Sequence, residues 1–163
     1  MAQRQSKQDI INESSQFGKF DQVREELNAH YSHAQLTTRS AQFAYIFITK
    51  TRNIKVCYEL ATMHGDIVQI RLKAYGHGHY QCTDFMNKLH SELMVSLSKT
   101  KAITTAFSTG KTYKNKQYTA ISVVSSIDEL PNMLRDVINH TSSKMQDFLT
   151  SLGIKDIIDV NCQ

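Results

Sequence analysis

The densest grouping of chemistry-bearing side chains is Gly76-His77-Gly78-His79-Tyr80-Gln81-Cys82, with His90 and His64 as further imidazoles. Zinc takes imidazole nitrogen and thiolate sulfur, usually four ligands in a closed tetrahedral site. On extended backbone, His77 and His79 point to the same side, and Cys82 would be a third ligand. The spacing matches no standard zinc motif, and the flanking glycines read as a mobile hairpin-to-helix loop with its histidines in water. The expectation is therefore no metal and no cofactor. Gly110-Lys111-Thr112 resembles the end of a phosphate-binding loop, but Thr105 stands where the first glycine of G-x-x-x-x-G-K-[ST] belongs. No helix is expected after Thr112, so its first N–H groups cannot face a phosphate. No Ser/His/Asp or Cys/His grouping assembles. The acidic residues, among them Glu25-Glu26 and Asp128-Glu129, are scattered over helix surfaces and a cap. The chain is expected not to be an enzyme.

Charge offers a second chemistry. Lys99, Lys101, Lys111, Lys114 and Lys116 occupy one stretch that contains no acidic residue, interleaved with Tyr113 and Tyr118. Lysines neutralise phosphates and release counterions, and tyrosines stack on unpaired bases. If strands 102–111 and 117–124 pair, the later lysines gather at the hairpin tip as a nucleic-acid-binding surface over residues 99–118. Lys50, Arg52 and Lys55, at another hairpin turn, make a second basic point. The plainer reading is that these lysines solubilise exposed hairpins and blunt sheet edges, in keeping with a net charge of only +4.

The elements that must position these residues follow from periodicity. Ser6 to Tyr31 reads as a helix, with Phe20, Val23, Leu27 and Tyr31 on one stripe and Gly18 as a point of weakness. His30 to Ser40 is polar and reads as a connection. Gln42 to Lys50 is a strand apolar on both faces, with Phe43, Tyr45 and Phe47 opposite Ala44, Ile46 and Ile48. The alternating sets Ile54–Leu60 and Val68–Ala74 complete a three-stranded antiparallel meander joined by short turns. Thr83 or Asp84 can cap a helix buried along Phe85, Met86, Leu89, Leu93 and Leu97. Ile103–Phe107 and Thr119–Val123 form a two-stranded hairpin. A long final helix starts at the capping box of Ser126 and Glu129 and ends at Gly153, a natural left-handed C-cap. The apolar tail Ile154, Ile157, Ile158 and Val160 either folds back or meets a partner.

Strands in a run, followed by helices, give an α+β class with helices on one face of the sheet. A length of 163 residues with 40% hydrophobic and 21% charged residues fits one globular domain spanning 1–163. Residues 1–5 and 155–163 are expected as flexible or partner-binding ends. The apolar runs are too short to span a bilayer, so no membrane partner is expected. The first residues lack the apolar core of a secretory signal. With three cysteines, an odd number, at Cys57, Cys82 and Cys162, reduced thiols in a cytoplasmic protein are expected.

This order of elements resembles the type III secretion chaperones over about residues 6–154. Phe85-Met86-Asn87-Lys88-Leu89-His90-Ser91-Glu92-Leu93 is similar to their central helix, and Ser142 to Ile154 to their closing amphipathic helix. The resemblance implies a small cytoplasmic homodimer that holds another polypeptide's extended segment along apolar grooves. Such chaperones are usually acidic, whereas this chain is basic. The chain's own residues place that contact at Phe43, Tyr45 and Phe47, or at their opposite-face neighbours Ala44, Ile46 and Ile48, since the strand carries more apolar side chains than one buried face needs. Polypeptide capture is thus the leading expectation, and nucleic-acid binding through 99–118 the alternative.

Overall fold

The computed structural model describes residues 20–31, 37–40, 43–63, 65–98, 104–111 and 115–160. It is α+β, as the pattern of strands and helices requires. Residues 20–30 form helix α1. Strands β1 (Thr37–Ser40), β2 (Phe43–Lys50), β3 (Lys55–Thr62) and β4 (Ile67–Tyr75) follow. A 3-10 helix, His77–Cys82, runs into α2 (Thr83–Ser98). Then come β5 (Thr105–Lys111), β6 (Gln117–Ser126) and α3 (Leu130–Ser151). All neighbouring strands are antiparallel, in the order β1-β2-β3-β4-β6-β5. The hairpin therefore joins the meander through β6, and β5 becomes an edge.

Strand β1 is a sixth strand inside the segment expected to be a plain connection. It pairs Thr37 with Tyr45 and Thr38 with Ala44. Four polar residues have no alternation to reveal them; the edge of β2 supplies the hydrogen-bonding partner instead.

Register sorts the two faces. Ala44, Ile46, Tyr58, Leu60, Val68, Ile70, Leu72, Ile121 and Val123 share one face and one core cluster with Phe20, Leu27, Met86, Leu89, Leu93, Leu134, Val137 and Leu149 of the helices. All three helices thus pack on the same side. Phe85 of α2 stacks on Phe148 of α3, with ring centroids 4.3 Å apart. In the middle of this core, the Tyr58 hydroxyl shares a 2.7 Å hydrogen bond with Thr141 Oγ1. Thr141 also bonds to the Val137 carbonyl one turn back, so the buried phenol is satisfied.

The last helix ends as its sequence directs, but it starts at Leu130 with Glu129 as its N-cap and no side-chain cap bond, so Ser126 and Glu129 make only half of the capping box expected. The Glu129 N–H donates to Ser126 Oγ (3.2 Å), and Pro131 lies in the opening turn. At the other end Gly153 has φ 84. The Ile154 N–H reaches the Leu149 carbonyl and the Gly153 N–H the Thr150 carbonyl, the two bonds of a Schellman cap. The chain then turns back. The Ile158 N–H donates to the Ile48 carbonyl (2.8 Å), and Thr49 Oγ1 donates to the Asp156 carbonyl (2.6 Å). Val160 is fully buried. Residues 155–160 are therefore not a flexible end. They strap the part of β2 beyond its pairing with β1, because four apolar side chains in a short tail gain most by joining the core. Residues 1–5 and 161–163 lie outside the described set.

Burial of Tyr58 and Cys82 on this side sets a pH dependence. Desolvation raises both groups, Cys82 to about 12 and Tyr58 further, with the Thr141 hydrogen bond opposing and Tyr31 adding slightly for the phenol. In the unfolded chain a thiol ionises near about pH 8.5 and a phenol near about 10. Above those values the unfolded state binds fewer protons than the native one, so stability falls as pH rises. Denaturant midpoints are expected to start dropping near about pH 9, by up to about 1.4 kcal/mol per pH unit per group. Cys82→Ala should flatten the first part of the fall and Tyr58→Phe the later part.

Candidate functional site: the second sheet face and its basic cleft

The sheet face opposite the helices has its own composition. Register places Phe43, Tyr45 and Phe47 of β2, Cys57 and Glu59 of β3, Arg71, Lys73 and Tyr75 of β4, and Tyr118 and Ala120 of β6 on it. None of these side chains belongs to the helix-side cluster. Phe43, Tyr45 and Phe47 form a stacked row along β2, with centroids 6.4 and 6.3 Å apart and planes inclined by 12° and 22°. Phe43 and Tyr45 are half-buried, and Phe47 is buried beneath the Lys50 ammonium, 5.0 Å from its ring centroid. The row expected from the sequence exists, and it is aromatic and cation-capped rather than a bare aliphatic groove.

Cations continue across the face. Lys55 and Lys73 sit over the Tyr75 ring at 5.7 and 5.6 Å, and Lys73 also lies 5.1 Å from the Tyr118 centroid. A cation held over a ring face is attracted by the ring quadrupole. Glu59 is buried between Arg71 and Lys73, at 3.5 and 3.4 Å. It is the one carboxylate that register puts on this face among the described residues. Arg71 Nε is buried with no hydrogen-bond partner. Tyr118 lies across Gly110 of β5, where an added Cβ would meet its hydroxyl at 3.1 Å.

At one end of this face the two basic points of the sequence meet. A cleft of about 420 Å³ is lined by Arg52 and Lys55 from the β2–β3 turn, Tyr75, Gly76 and His77 after β4, and Asn115, Lys116 and Gln117 before β6. Among the described residues no carboxylate lines it. Residues far apart in sequence converge because β4 lies between β3 and β6. Its walls are built by local chemistry. The β2–β3 turn is closed by Thr51: its N–H and Oγ1 both donate to the Ile54 carbonyl, and the Ile54 N–H returns a bond to Oγ1. The Asn53 carbonyl at the tip accepts the Gly78 N–H (2.9 Å). Gly76 has φ 100, and a Cβ there would stand 2.6 Å from the Asn53 carbonyl oxygen. Only glycine meets both demands. On the other wall Asn115 takes a left-handed φ of 59.

The metal reading dissolves in the same place. The segment expected to be a mobile loop is a 3-10 helix continuous with α2, so the extended geometry that would align His77 with His79 is absent. His77 faces the cleft, while His79 is buried, with Nδ1 3.0 Å from Thr119 Oγ1 and Nε2 3.3 Å from Gln117 Oε1. Thr83 Oγ1 bonds to Thr119 (3.1 Å) instead of capping its own helix. His90 pairs with Thr105. Cys82 is in the core, its thiol pushed up to about 12 by burial, which keeps it protonated at neutral pH. Among the described residues no group of His, Cys, Asp and Glu could hold a metal ion.

Of the hairpin residues singled out for nucleic acid, Lys111 is exposed on β5, Lys116 lines the cleft and Tyr118 is on the second face. Lys99, Lys101, Tyr113 and Lys114 lie outside the described residues. Tyr75, Lys73 and Arg71 were missed because Gln69, Arg71, Lys73 and Tyr75 alternate as the ordinary polar side of a strand. Only strand pairing, which sets Glu59 beside Arg71 and both Lys55 and Tyr118 beside Tyr75, gives them neighbours of this kind. No helix among the described residues is long and apolar enough to cross a membrane. No protein-family model matches the chain, and no curated protein or solved structure matches it either.

Because the Gly76 backbone forms one wall of the cleft, Gly76→Ala tests how rigidly the site is built. The variant is expected to lose about 2 kcal/mol of stability or more from backbone strain and the clash with Asn53, measured as a lower urea midpoint. An unchanged midpoint would mean that the wall yields.

Proposed function

We propose that this is a non-enzymatic binding protein that captures an extended polypeptide along the aromatic row Phe43, Tyr45 and Phe47. The observation that carries the reading is the division of labour in the sheet. The helix side already holds the core, and yet β2 presents a second row of three stacked rings on the opposite side. Half-buried rings at alternate strand positions suit the side chains of an extended segment, whose own period is two residues. Lys50, Lys55, Lys73 and Arg71 around the rows favour an acidic or aromatic-rich segment over a basic one. The order of elements, which resembles that of type III secretion chaperones, supports the same role, and the homodimer belongs to that proposal.

A second reading, single-stranded nucleic-acid binding, draws on a different observation: Lys116 of the hairpin joins Arg52 and Lys55 in one cleft beside Tyr75. Stacking platforms next to cations are the usual means of holding unpaired strands.

An array of immobilised extended peptides, probed with the whole protein, separates these. Wild type should retain acidic, aromatic-rich peptides, and Phe43→Ser with Tyr45→Ser should weaken retention by about tenfold in a chain that is still folded at the assay temperature, checked by circular dichroism. Retention of no peptide would overturn the polypeptide reading. For the second reading, oligonucleotide affinity should fall with added salt, and Lys111→Gln with Lys116→Gln should flatten that slope. No binding at low salt would overturn it.

A further inference from the structure

We infer that the cleft between the β2–β3 turn and the start of β6 is a binding site for a phosphate monoester on a small organic molecule. Three permanent cations, Arg52, Lys55 and Lys116, line it together with the His77 imidazole. Glu59, the carboxylate that register puts on this face among the described residues, is engaged by Arg71 and Lys73 and is not among the residues that line the cleft. A dianionic group entering here meets three cations, and a guanidinium fork matches phosphate oxygens in a way an ammonium cannot. Asn115 and Gln117 add amide donors beside the cations, and His77 adds a ring N–H.

Size and shape select the class of ligand. About 420 Å³ falls within the range of small-molecule pockets and exceeds what one phosphate fills. Arg52 and Lys55 of the β2–β3 turn line it together with Asn115, Lys116 and Gln117. The Tyr75 ring lines the space as a platform for the uncharged part of such a ligand. The site is also pre-organised. The Thr51 bonds fix the turn that carries Arg52, and the close approach of Gly76 to Asn53 locks the segment that carries His77. Little ordering then remains to be done on binding. The inference does not depend on the aromatic row, which lies along β2.

Isothermal titration calorimetry on the full chain tests this, at constant ionic strength, with ribose 5-phosphate, inorganic phosphate and acetate. The expected result is saturable, one-to-one binding of ribose 5-phosphate, with acetate showing none. Tighter binding of ribose 5-phosphate than of inorganic phosphate would support the organic part as well as the phosphate. Arg52→Gln with Lys116→Gln, both at exposed positions, should weaken binding at least tenfold without changing the melting temperature. Lys88→Gln, an exposed lysine of α2 outside the cleft, should leave it unchanged. Overturning results are the absence of saturable binding, equal binding of acetate, equal or tighter binding of inorganic phosphate, or equal weakening by Lys88→Gln and the cleft variant.

Discussion

The antiparallel pairing of β4 with β6 is the constraint on which the rest depends. It runs without a break from Ile67 opposite Ser126 to Tyr75 opposite Tyr118. It joins a meander and a hairpin that are separated in the chain by the 3-10 helix and α2. Everything local in this protein could form without it. The shared core, the aromatic–cation face and the cleft could not, because each combines residues from both sides of that seam.

Side-chain period two then propagates the consequence. Once Leu72 faces Ile121 in the core, Lys73 must face Ala120 on the other side, and Tyr75 must come level with Tyr118. The helix side gathers aliphatic residues and excludes water, which stabilises the fold and holds the Cys82 thiol and the Tyr58 phenol neutral. The opposite side gathers rings and cations, with Glu59 as their counterweight among the described residues. One register thus separates a surface that stabilises from a surface that can recognise.

Glycine placement ties the recognition surface to the fold. Gly76 lets backbone pass within contact of the Asn53 carbonyl, and Gly110 leaves room for the Tyr118 ring. In both cases a missing side chain allows a neighbouring element to approach. The basic cleft and the aromatic face are consequently held by backbone contacts and not by flexible side chains alone.

The sequence by itself determined the local elements: the helical stripes, the meander, the Ser126 turn, the Gly153 cap, and the alternation that puts Phe43, Tyr45 and Phe47 on one side of their strand. These follow from nearest-neighbour periods and from groups that satisfy their own backbone, so they are written in short windows. Strand β1 was not legible, because a short polar edge strand takes its partner from elsewhere. The 3-10 helix at His77–Cys82 was read as a loop because its glycines answer to Asn53, a distant neighbour. Tertiary structure alone decided that Arg52 and Lys55 share a cleft with Lys116, that His79 is buried on Thr119 and Gln117, and that the tail closes over β2. The physical reason is common to all three: strand order and register are settled by burying one continuous apolar face, and no short stretch of the chain contains that information.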